Sequence, residues 1–303
     1  MKTIFLLLSV LMLASSCGES KDTPPTPQPP VSKYQKHAKD NEIKIMSFNI
    51  RTSGMDKETP NHWDNRKAAV LALIKDQMPD IMGVQEATYT DQWVWLKNQL
   101  KGVGYDGYGV NRQTGKESGA GEVPGILYNT SVIKKIEVGT FWLSETPDKP
   151  SKGWDANYYR TATWGLFEHI QTGKQFLYIN THLDHESETA QIEGMKLIAN
   201  KFQEYKSDVD ALFLTGDLNV DSSHKAIEAI KGFMRNTRTY ANRSDSYGTT
   251  NSFKSDTQKS KIDHIYYNKE LKNPIEYYTI RDTYNGVKFV SDHYPIYSII
   301  KLK

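Results

Sequence analysis

The stretch Ile43-Lys44-Ile45-Met46-Ser47-Phe48-Asn49-Ile50-Arg51 is apolar at most positions on both faces of an extended chain. This pattern predicts a β-strand that is covered on both sides, as strands are in α/β proteins. Asn49 and Arg51 lie at the exit of the strand, so polar groups stand where it ends. The stretch therefore predicts both a central sheet and the edge of that sheet where functional groups would gather.

The next segment predicts a helix packed on this sheet. Val70, Leu73 and Ile74 recur at helical spacing. Asp64 is a suitable N-cap for this helix, and Pro79 stops the run. Strand and helix are then followed by a second short apolar run.

The strand, helix, strand order recurs along the chain, and no linker follows residue 42. Strands are predicted at 81–85, 176–181, 211–215, 262–267, 275–280 and 294–302, with helices around 93–100 and 192–202. Two such αβ halves predict two sheets packed face to face, with helices outside. The strand ends would then converge on one edge.

Short polar clusters occupy the predicted strand ends. They are Ser47-Phe48-Asn49, Gln85-Glu86, Asn180-Thr181-His182, Gly216-Asp217-Leu218-Asn219, Ile262-Asp263 and Ser291-Asp292-His293. Carboxylates, amides and imidazoles at one edge suit metal-assisted attack of water on a phosphate ester. Each cluster also has a simpler interpretation, because a Glu after a strand is often solvated and Gly, Asp and Asn are common turn formers.

The ligand types favour a hard cation. Asn49 and Glu86 supply an amide oxygen and a carboxylate, and no Cys or His cluster has zinc-finger spacing. We therefore expect Mg²⁺ or Mn²⁺. His293 can take a proton near neutral pH, and Asp263 is a candidate for the carboxylate that fixes its tautomer, although a structural role for this histidine is equally compatible with the sequence.

Taken in order, the six clusters resemble the endonuclease/exonuclease/phosphatase superfamily, which includes DNase I-like nucleases, deadenylases, sphingomyelinases and inositol phosphatases. The resemblance spans residues 43–302. It implies an α/β fold, the four-layer α-β-β-α sandwich of DNase I type. It also implies a Mg²⁺-dependent or Mn²⁺-dependent phosphoric ester hydrolase.

The resemblance further assigns roles at the metal and at the phosphate. Glu86 would bind the divalent ion, with Asn49 beside it and Asp292 nearby. Asn219 and His182 would hold phosphate oxygens.

The resemblance does not decide which residue is the general base. Asp217 would orient or deprotonate the attacking water, and His293, paired with Asp263, would be a base or an electrostatic stabiliser. The choice between Asp217 and His293 stays open at this stage.

Tyr128 and Arg160 are further candidates for substrate-binding donors, with a packed tyrosine and a surface arginine as the alternatives. The segment from Phe141 to Pro147, followed by Gly153-Trp154-Asp155, is similar to an insertion-bearing region of one bacterial branch of the superfamily. Its aromatic side chains either line the substrate cleft or pack beneath a long loop.

The N-terminus has the pattern of an exported lipoprotein. Residues 1–16 contain Lys2, an apolar run and small residues, which is typical of a signal peptide. Cys17, the only cysteine, follows a sequence that resembles a bacterial lipobox, although the favoured Leu13 lies one place early. Residues 17–42 would form a proline-rich tether, and 43–303 the catalytic domain. We expect lipid anchoring in the cell envelope, periplasmic or at the surface, with ordinary secretion as the alternative.

The charge of the chain narrows the range of substrates. The formal net charge is only +2, and basic residues are scattered, so a long duplex is not favoured. The sequence leads us to expect a phosphodiesterase that acts on nucleic acid fragments or lipid headgroups. The alternatives are a phosphomonoesterase of sugar or inositol phosphates, and a surface binding module that has lost catalysis. The rim loops that choose among substrates carry no decisive signal.

Overall fold

The structure of this protein is a computed structural model, and it describes residues 41–302. The expected signal peptide, Cys17 and nearly all of the proline-rich segment lie outside the described residues. Among the helices that are described, none is long and apolar enough to cross a membrane. The first strand begins at Glu42, close to the expected start of the catalytic domain.

Twelve strands and five helices make up the described chain. The strands are β1 (Glu42–Asn49), β2 (Ile81–Thr88), β3 (Tyr105–Tyr108), β4 (Glu122–Asn129), β5 (Ile133–Trp142), β6 (Thr161–His169), β7 (Lys174–His182), β8 (Ala211–Asp217), β9 (Met234–Asn236), β10 (Asp263–Asn268), β11 (Glu276–Thr279) and β12 (Ile296–Lys301). The helices are α1 (Trp63–Gln77), α2 (Val94–Lys101), α3 (Glu188–Tyr205), α4 (Glu228–Lys231) and α5 (Thr237–Tyr240), with a π-helical turn at Tyr89–Trp93 before α2.

The strands form two mixed sheets. The first has the order β11-β12-β1-β2-β4-β3, and the second has the order β5-β6-β7-β8-β10-β9. Each sheet contains one parallel pair, β1 with β2 and β7 with β8, and the remaining pairs are antiparallel. Helices α1 and α3 connect these parallel pairs, as a parallel connection requires. The predicted strand, helix, strand repeats are therefore confirmed.

Three apolar layers separate the sheets and helices. Ile45 and Ile126 of the first sheet belong to the same buried cluster as Phe176 and Phe213 of the second. A second cluster lies between the first sheet and α1 and α2, and a third lies between the second sheet and α3. Helices thus cover the outer face of each sheet, and the predicted four-layer α-β-β-α sandwich is confirmed.

A polar bridge joins the sheets just below the edge where the parallel strands end. Gln85 Nε2 donates to Asn180 Oδ1 at 2.7 Å, and Asn180 Nδ2 donates to the carbonyl oxygen of Val84 at 2.9 Å. A Cβ on Gly83 would lie 2.2 Å from Asn180 Oδ1, so only glycine leaves room for this contact. Because buried polar groups are satisfied in only a few arrangements, the bridge fixes how the two sheets align.

Helix α3 begins earlier than predicted. The apolar pattern indicated a start near residue 192, whereas the helix begins at Glu188. Ser187 caps it, because its Oγ accepts a hydrogen bond from the backbone N–H of Ala190 at 3.0 Å. The cap was readable in the sequence, but the apolar pattern starts later than the backbone hydrogen bonding.

Candidate active site

A cavity of about 320 Å³ opens at the edge where the two sheets bring their strand ends together. It is lined by Arg51, Thr52, Met55, Glu86, Arg112, Glu122, Tyr158, Arg160, His182, His185, Asp217, Asn219, Asp292 and His293. Most of the charged side chains come from the ends of strands in both sheets. The convergence expected from the sequence is therefore present.

Three residues at this edge adopt a left-handed backbone without being glycine. Arg51, Glu86 and Asn219 have φ angles of 58°, 62° and 53°. Such conformations destabilise the chain by on the order of 1 kcal/mol each, and they cluster at functional sites. At Glu86 the pairing of β2 with β4 shifts register between Val84 and Ala87, so a bulge turns this side chain into the cavity.

Glu86 is held as a carboxylate. One carboxylate oxygen accepts from Asn49 Nδ2 at 2.8 Å, and the other accepts from the backbone N–H of Thr52 at 3.1 Å. Burial acts to raise the pKa of Glu86, but the Asn49 hydrogen bond and the charge of His293 outweigh it and leave the pKa below its ordinary value. Glu86 therefore presents a negative charge to the cavity.

The hydrogen bonds of Asn49 bear on its expected role as a metal ligand. Its Oδ1 accepts a hydrogen bond from the backbone N–H of Arg51 at 3.0 Å, while Nδ2 donates to Glu86 and to Asp217 Oδ2, at 2.8 and 2.9 Å. The amide oxygen is thus not turned towards a metal between these carboxylates. The expected ligand role of Asn49 stays a prediction, and in this structure its side chain holds Glu86 and Asp217 together across the two sheets.

Asp217 is the most deeply placed acid of the cavity. Its Oδ1 accepts from the backbone N–H of Asn219 at 3.0 Å. Burial raises the pKa of Asp217 to about 7, and nearby Asp263 adds to this, although the positive charge of His293 opposes it. The side chain of Asn219 donates to the carbonyl oxygen of Leu183 at 3.0 Å and also lines the cavity.

The two histidines have opposite protonation tendencies. His293 Nδ1 lies 2.8 Å from Asp263 Oδ2. Burial acts to lower the pKa of His293, but Asp263 and Asp217 hold it well above its ordinary value. Burial, with the charges of Arg160 and Arg112, lowers the pKa of His182 well below that value. The surroundings of His293 therefore favour its protonated form, and those of His182 favour its neutral form.

His182 Nε2 is 3.6 Å from Asp217 Oδ2, and its Nδ1 has no hydrogen-bond partner within residues 41–302. Asp292 stands on another side of the cavity, with Oδ2 3.2 Å from Arg51 Nη1. Burial, opposed by His293 and aided by Glu86, raises the pKa of Asp292. A buried acid with a raised pKa gains from a further cation nearby.

Arg160 is buried rather than on the surface, with 4% of the residue exposed. Its Nε lies 3.3 Å from Asp184 Oδ2, and its Nη2 lies 2.7 Å from His185 Nδ1. The structure thus brings Arg160 to the cavity, beside His182. It is a candidate for an anion-binding group.

Tyr128 is elsewhere, and the expectation that it binds substrate is wrong. It pairs with Ile81 at the start of β2, whereas Glu86 lies near the end of that strand. Its hydroxyl donates to Asp106 Oδ2 at 2.9 Å, and its ring packs on Phe167. Because β4 runs antiparallel to β2, the last residues of β4 lie far from the cavity.

The sequence-based analysis missed Arg112, Glu122 and Tyr158. Arg112 Nη1 lies 2.8 Å from Glu122 Oε2, and the indole Nε1 of Trp142 donates to the Arg112 carbonyl oxygen at 2.6 Å. Trp142 therefore packs beneath the loop that carries Arg112. No periodic pattern marks this loop, so the chain offers no local signal for Arg112, whereas Glu122 begins a strand whose direction was not predicted.

The donor set fits a hard divalent cation. Glu86, Asp217 and His182 each offer one ligand atom, and these atoms all lie within 4.8 Å of one another. The raised pKa values of Asp217 and Asp292 indicate acids that a cation would stabilise as carboxylates. Carboxylate oxygens are the ligands that Mg²⁺ and Mn²⁺ prefer.

Comparisons with known proteins agree with this arrangement. A solved endonuclease/exonuclease/phosphatase family protein from Bacteroides thetaiotaomicron is 34% identical, covers 86% of this chain and 98% of its own, and superimposes with a TM-score of 0.79. The mannosyl-6-phosphatase of the same species is also 34% identical, with 85% and 99% coverage and a TM-score of 0.79. An uncharacterised protein of Acanthamoeba polyphaga mimivirus is 24% identical over 284 residues, which are 86% of this chain and 100% of the relative.

A family model matches residues 46–293, which contain every residue that lines the cavity. Members of this family are phosphoester hydrolases, and the carboxylates, imidazoles and arginines of the cavity suit that chemistry. The family match, together with the two solved relatives, identifies the fold and the general reaction class. This chain belongs to the Endonuclease/Exonuclease/phosphatase family.

Proposed function

We propose that this protein is a divalent-metal-dependent phosphomonoesterase of small sugar phosphates. The observation that carries the proposal is the pair of buried arginines, Arg112 and Arg160, which line the same cavity as Glu86 and Asp217. The monoester, an alternative in the sequence analysis, therefore takes precedence over the diester.

Charge and donor number favour the monoester. A phosphomonoester has three non-bridging oxygens and close to two negative charges at neutral pH, whereas a diester has two such oxygens and one charge. Arg112 and Arg160 are paired with Glu122 and Asp184 at one side, and their remaining N–H groups, together with His182, give the cavity several donors for the oxygens of a monoester. The mannosyl-6-phosphatase at 34% identity supports the same assignment.

The cavity size gives further support. A space of about 320 Å³ is at the small end of ligand pockets, so it suits one small ester rather than several nucleotides. The formal net charge of +2 also offers no broad field for a polyanion.

The chain's own residues account for the proton and the charge. Asp217 orients the attacking water and takes its proton as the bond between phosphorus and the sugar oxygen breaks, and the sugar oxygen leaves as a hydroxyl after taking a proton from solvent. His293, oriented by Asp263 and with its pKa raised by Asp263 and Asp217, stabilises the negative charge that develops on the phosphoryl group. In this proposal Asp217 is the base and His293 the electrostatic stabiliser, because Asp263 and Asp217 raise the pKa of His293.

Other side chains bind and position the ester. Arg112 and Arg160 hold phosphate oxygens, with Asn219 and His182 beside them. Glu86 and Asp292 would hold the Mg²⁺ or Mn²⁺ ion, which supplies Lewis-acid polarisation of a phosphoryl oxygen when bound. Asn49 keeps Glu86 and Asp217 at a fixed separation.

The test compares hydrolysis of p-nitrophenyl phosphate and bis-p-nitrophenyl phosphate, followed by release of p-nitrophenol, and of mannose 6-phosphate, followed by release of phosphate, with Mg²⁺ or Mn²⁺ and with EDTA. We expect EDTA-sensitive turnover that favours the monoesters. Faster turnover of the diester would instead support the phosphodiesterase, and turnover that survives EDTA would exclude the metal-dependent reaction. The Glu86→Gln variant controls for a contaminating phosphatase.

We extend the proposal to location. The lipobox-like sequence before Cys17 supports a lipid-anchored protein of the bacterial cell envelope, with residues 18–42 as a tether. A tethered phosphatase would act on esters outside the cytoplasm.

A further inference from the structure

The cavity has a buried end and an exposed end, and they differ in chemistry. Asp217 and His182 are 1% and 6% exposed, whereas Tyr158 and Met55 are 42% and 51% exposed. Tyr158 and Met55 nevertheless line the same cavity. The phosphate therefore belongs at the buried end, and the leaving group belongs at the mouth between exposed apolar side chains.

Tyr158 stands directly beside the phosphate-binding groups. Its ring lies 5.2 Å from the ring of His185, with 36° between the planes, and 5.6 Å from the guanidinium carbon of Arg160. Arg160 in turn lies 2.7 Å from His185 Nδ1. In a hexose 6-phosphate the ring begins one carbon beyond the ester oxygen, so an ester held by Arg160 brings its sugar ring next to Tyr158.

The polar groups around Tyr158 suit a neutral, hydroxylated leaving group. His185 Nε2 lies 3.4 Å from Glu186 Oε1, and Asn157 Nδ2 donates to the other oxygen of Glu186 at 2.5 Å. Glu186 is 41% exposed in its side chain and can accept hydrogen bonds from hydroxyl groups. Its charge repels a second phosphate at the mouth.

A single-stranded nucleic acid would need positive charge beside Tyr158. Proteins that bind single strands combine aromatic platforms with a cationic groove that follows neighbouring phosphates. Arg51, the arginine on the Met55 side, already pairs with Asp56 at 2.9 Å and with Asp292 at 3.2 Å. The aromatic platform is present here, but its charged neighbours are Arg160, which is paired with Asp184, and the acidic Glu186.

We propose that Tyr158 determines the specificity of the site by stacking on the apolar face of a neutral pyranose, with Asn157 and Glu186 beside it for the ring hydroxyls. This inference rests on the proposed phosphomonoesterase function. The C–H face of a sugar ring buries apolar area on an aromatic ring without burying its hydroxyls.

The test measures kcat/KM for mannose 6-phosphate and for glycerol 3-phosphate, an alkyl ester without a ring. In Tyr158→Ala we expect the ratio of the two values to fall about tenfold, which corresponds to about 1.4 kcal/mol. Tyr158→Phe keeps the stacking surface and should keep most of the ratio. Tyr240→Ala removes another tyrosine of similar exposure, 41%, and should leave the ratio unchanged.

The outcomes separate this inference from the proposed function. An active wild type whose ratio does not change in Tyr158→Ala overturns the role of Tyr158 and leaves the phosphatase standing. An equal fall for both esters also overturns it, because the ring would then not be what Tyr158 contacts. If the wild type also hydrolyses a nucleoside 5′-monophosphate, and does so faster than mannose 6-phosphate, the proposed pyranose substrate is wrong. A wild type that releases phosphate from none of these monoesters overturns both proposals.

Discussion

His293 Nδ1 lies 2.8 Å from Oδ2 of Asp263, and both side chains are buried. The two residues come from different parts of the chain, since Asp263 begins β10 and His293 precedes β12. The pairing fixes which nitrogen of the ring faces the cavity, and Nε2 stands 3.7 Å from Asp217 Oδ2. The imidazole is thereby held next to the proposed base, with its pKa raised by the two carboxylates.

Replacing Asp263 tests this relationship. In Asp263→Asn the imidazole loses the negative charge that keeps it protonated, so we expect kcat to fall about 100-fold with little change in KM. Steady-state kinetics on p-nitrophenyl phosphate would measure both. Asp210→Asn, at an acid paired with Lys174 on the surface, is the control. A fall confined to KM would make His293 a binding residue instead.

Glu86→Gln keeps the shape of the side chain and removes its charge. We expect kcat to fall about 100-fold or more, and the Mg²⁺ concentration needed for half-maximal activity to rise, because a carboxylate ligand is lost. The melting temperature should fall only modestly, since one of the two donors, Asn49 Nδ2 or the Thr52 N–H, can still donate to the single amide oxygen of the substituted side chain. Unchanged turnover at saturating Mg²⁺ would remove Glu86 from the site.

The strand-end residues could be predicted from the sequence because their positions follow a local pattern. The parallel strands β1, β2, β7 and β8 are apolar runs followed by polar residues, and parallel neighbours end at one edge of a sheet. The prediction that Tyr128 binds substrate was wrong for a related reason. The apolar run of β4 does not reveal that the strand is antiparallel to β2, and its end therefore points away from the cavity.

Other features depended on contacts between distant residues. The orientation of the Asn49 amide is set by the backbone of Arg51, whose φ of 58° turns its N–H back to Oδ1. Arg112 reaches the cavity from a loop held by Trp142 and Glu122. Neither arrangement has a repeating pattern in the sequence, so composition and periodicity could not supply them.

The arginines test the preference for a monoester. Arg112→Gln removes a guanidinium that would bind a non-bridging oxygen, so kcat/KM should fall more for p-nitrophenyl phosphate than for the bis ester, by about tenfold in their ratio. Parallel assays on the two esters measure the ratio. Arg235→Gln, outside the cavity, is the control. An equal loss on both substrates would show that Arg112 does not distinguish the two charges.

The proposed anchor depends on Cys17. Cys17→Ser removes the sulfur that would be acylated, so we expect the protein to move from the membrane fraction to the soluble fraction. Fractionation of cells followed by immunoblotting measures this. Ser16→Ala is a neighbouring control that keeps the cysteine. Continued membrane retention of Cys17→Ser would argue against lipidation at this position.

Lys44 offers a pH test away from the metal site. It is 2% exposed, and its Nζ donates to the carbonyl oxygen of Gln77 at 2.6 Å and to the side-chain Oε1 at 3.1 Å. Burial lowers the pKa of Lys44 from 10.5 to about 8, although the charge of Asp80 opposes the shift. Between these values the folded protein holds Lys44 neutral, while the unfolded chain keeps it protonated.

Because the unfolded state binds more protons in that interval, raising the pH from 8 to 10.5 should stabilise the folded state relative to Lys44→Met, by up to about 3 kcal/mol. Urea unfolding of both proteins across the interval measures the difference in their free energies of unfolding. Lys174→Met, at a lysine that is 37% exposed in its side chain, should run parallel to the wild type. A difference between wild type and Lys44→Met that stays constant with pH would mean that Lys44 titrates alike in both states, and that Gln77 and Asp80 fully offset its burial.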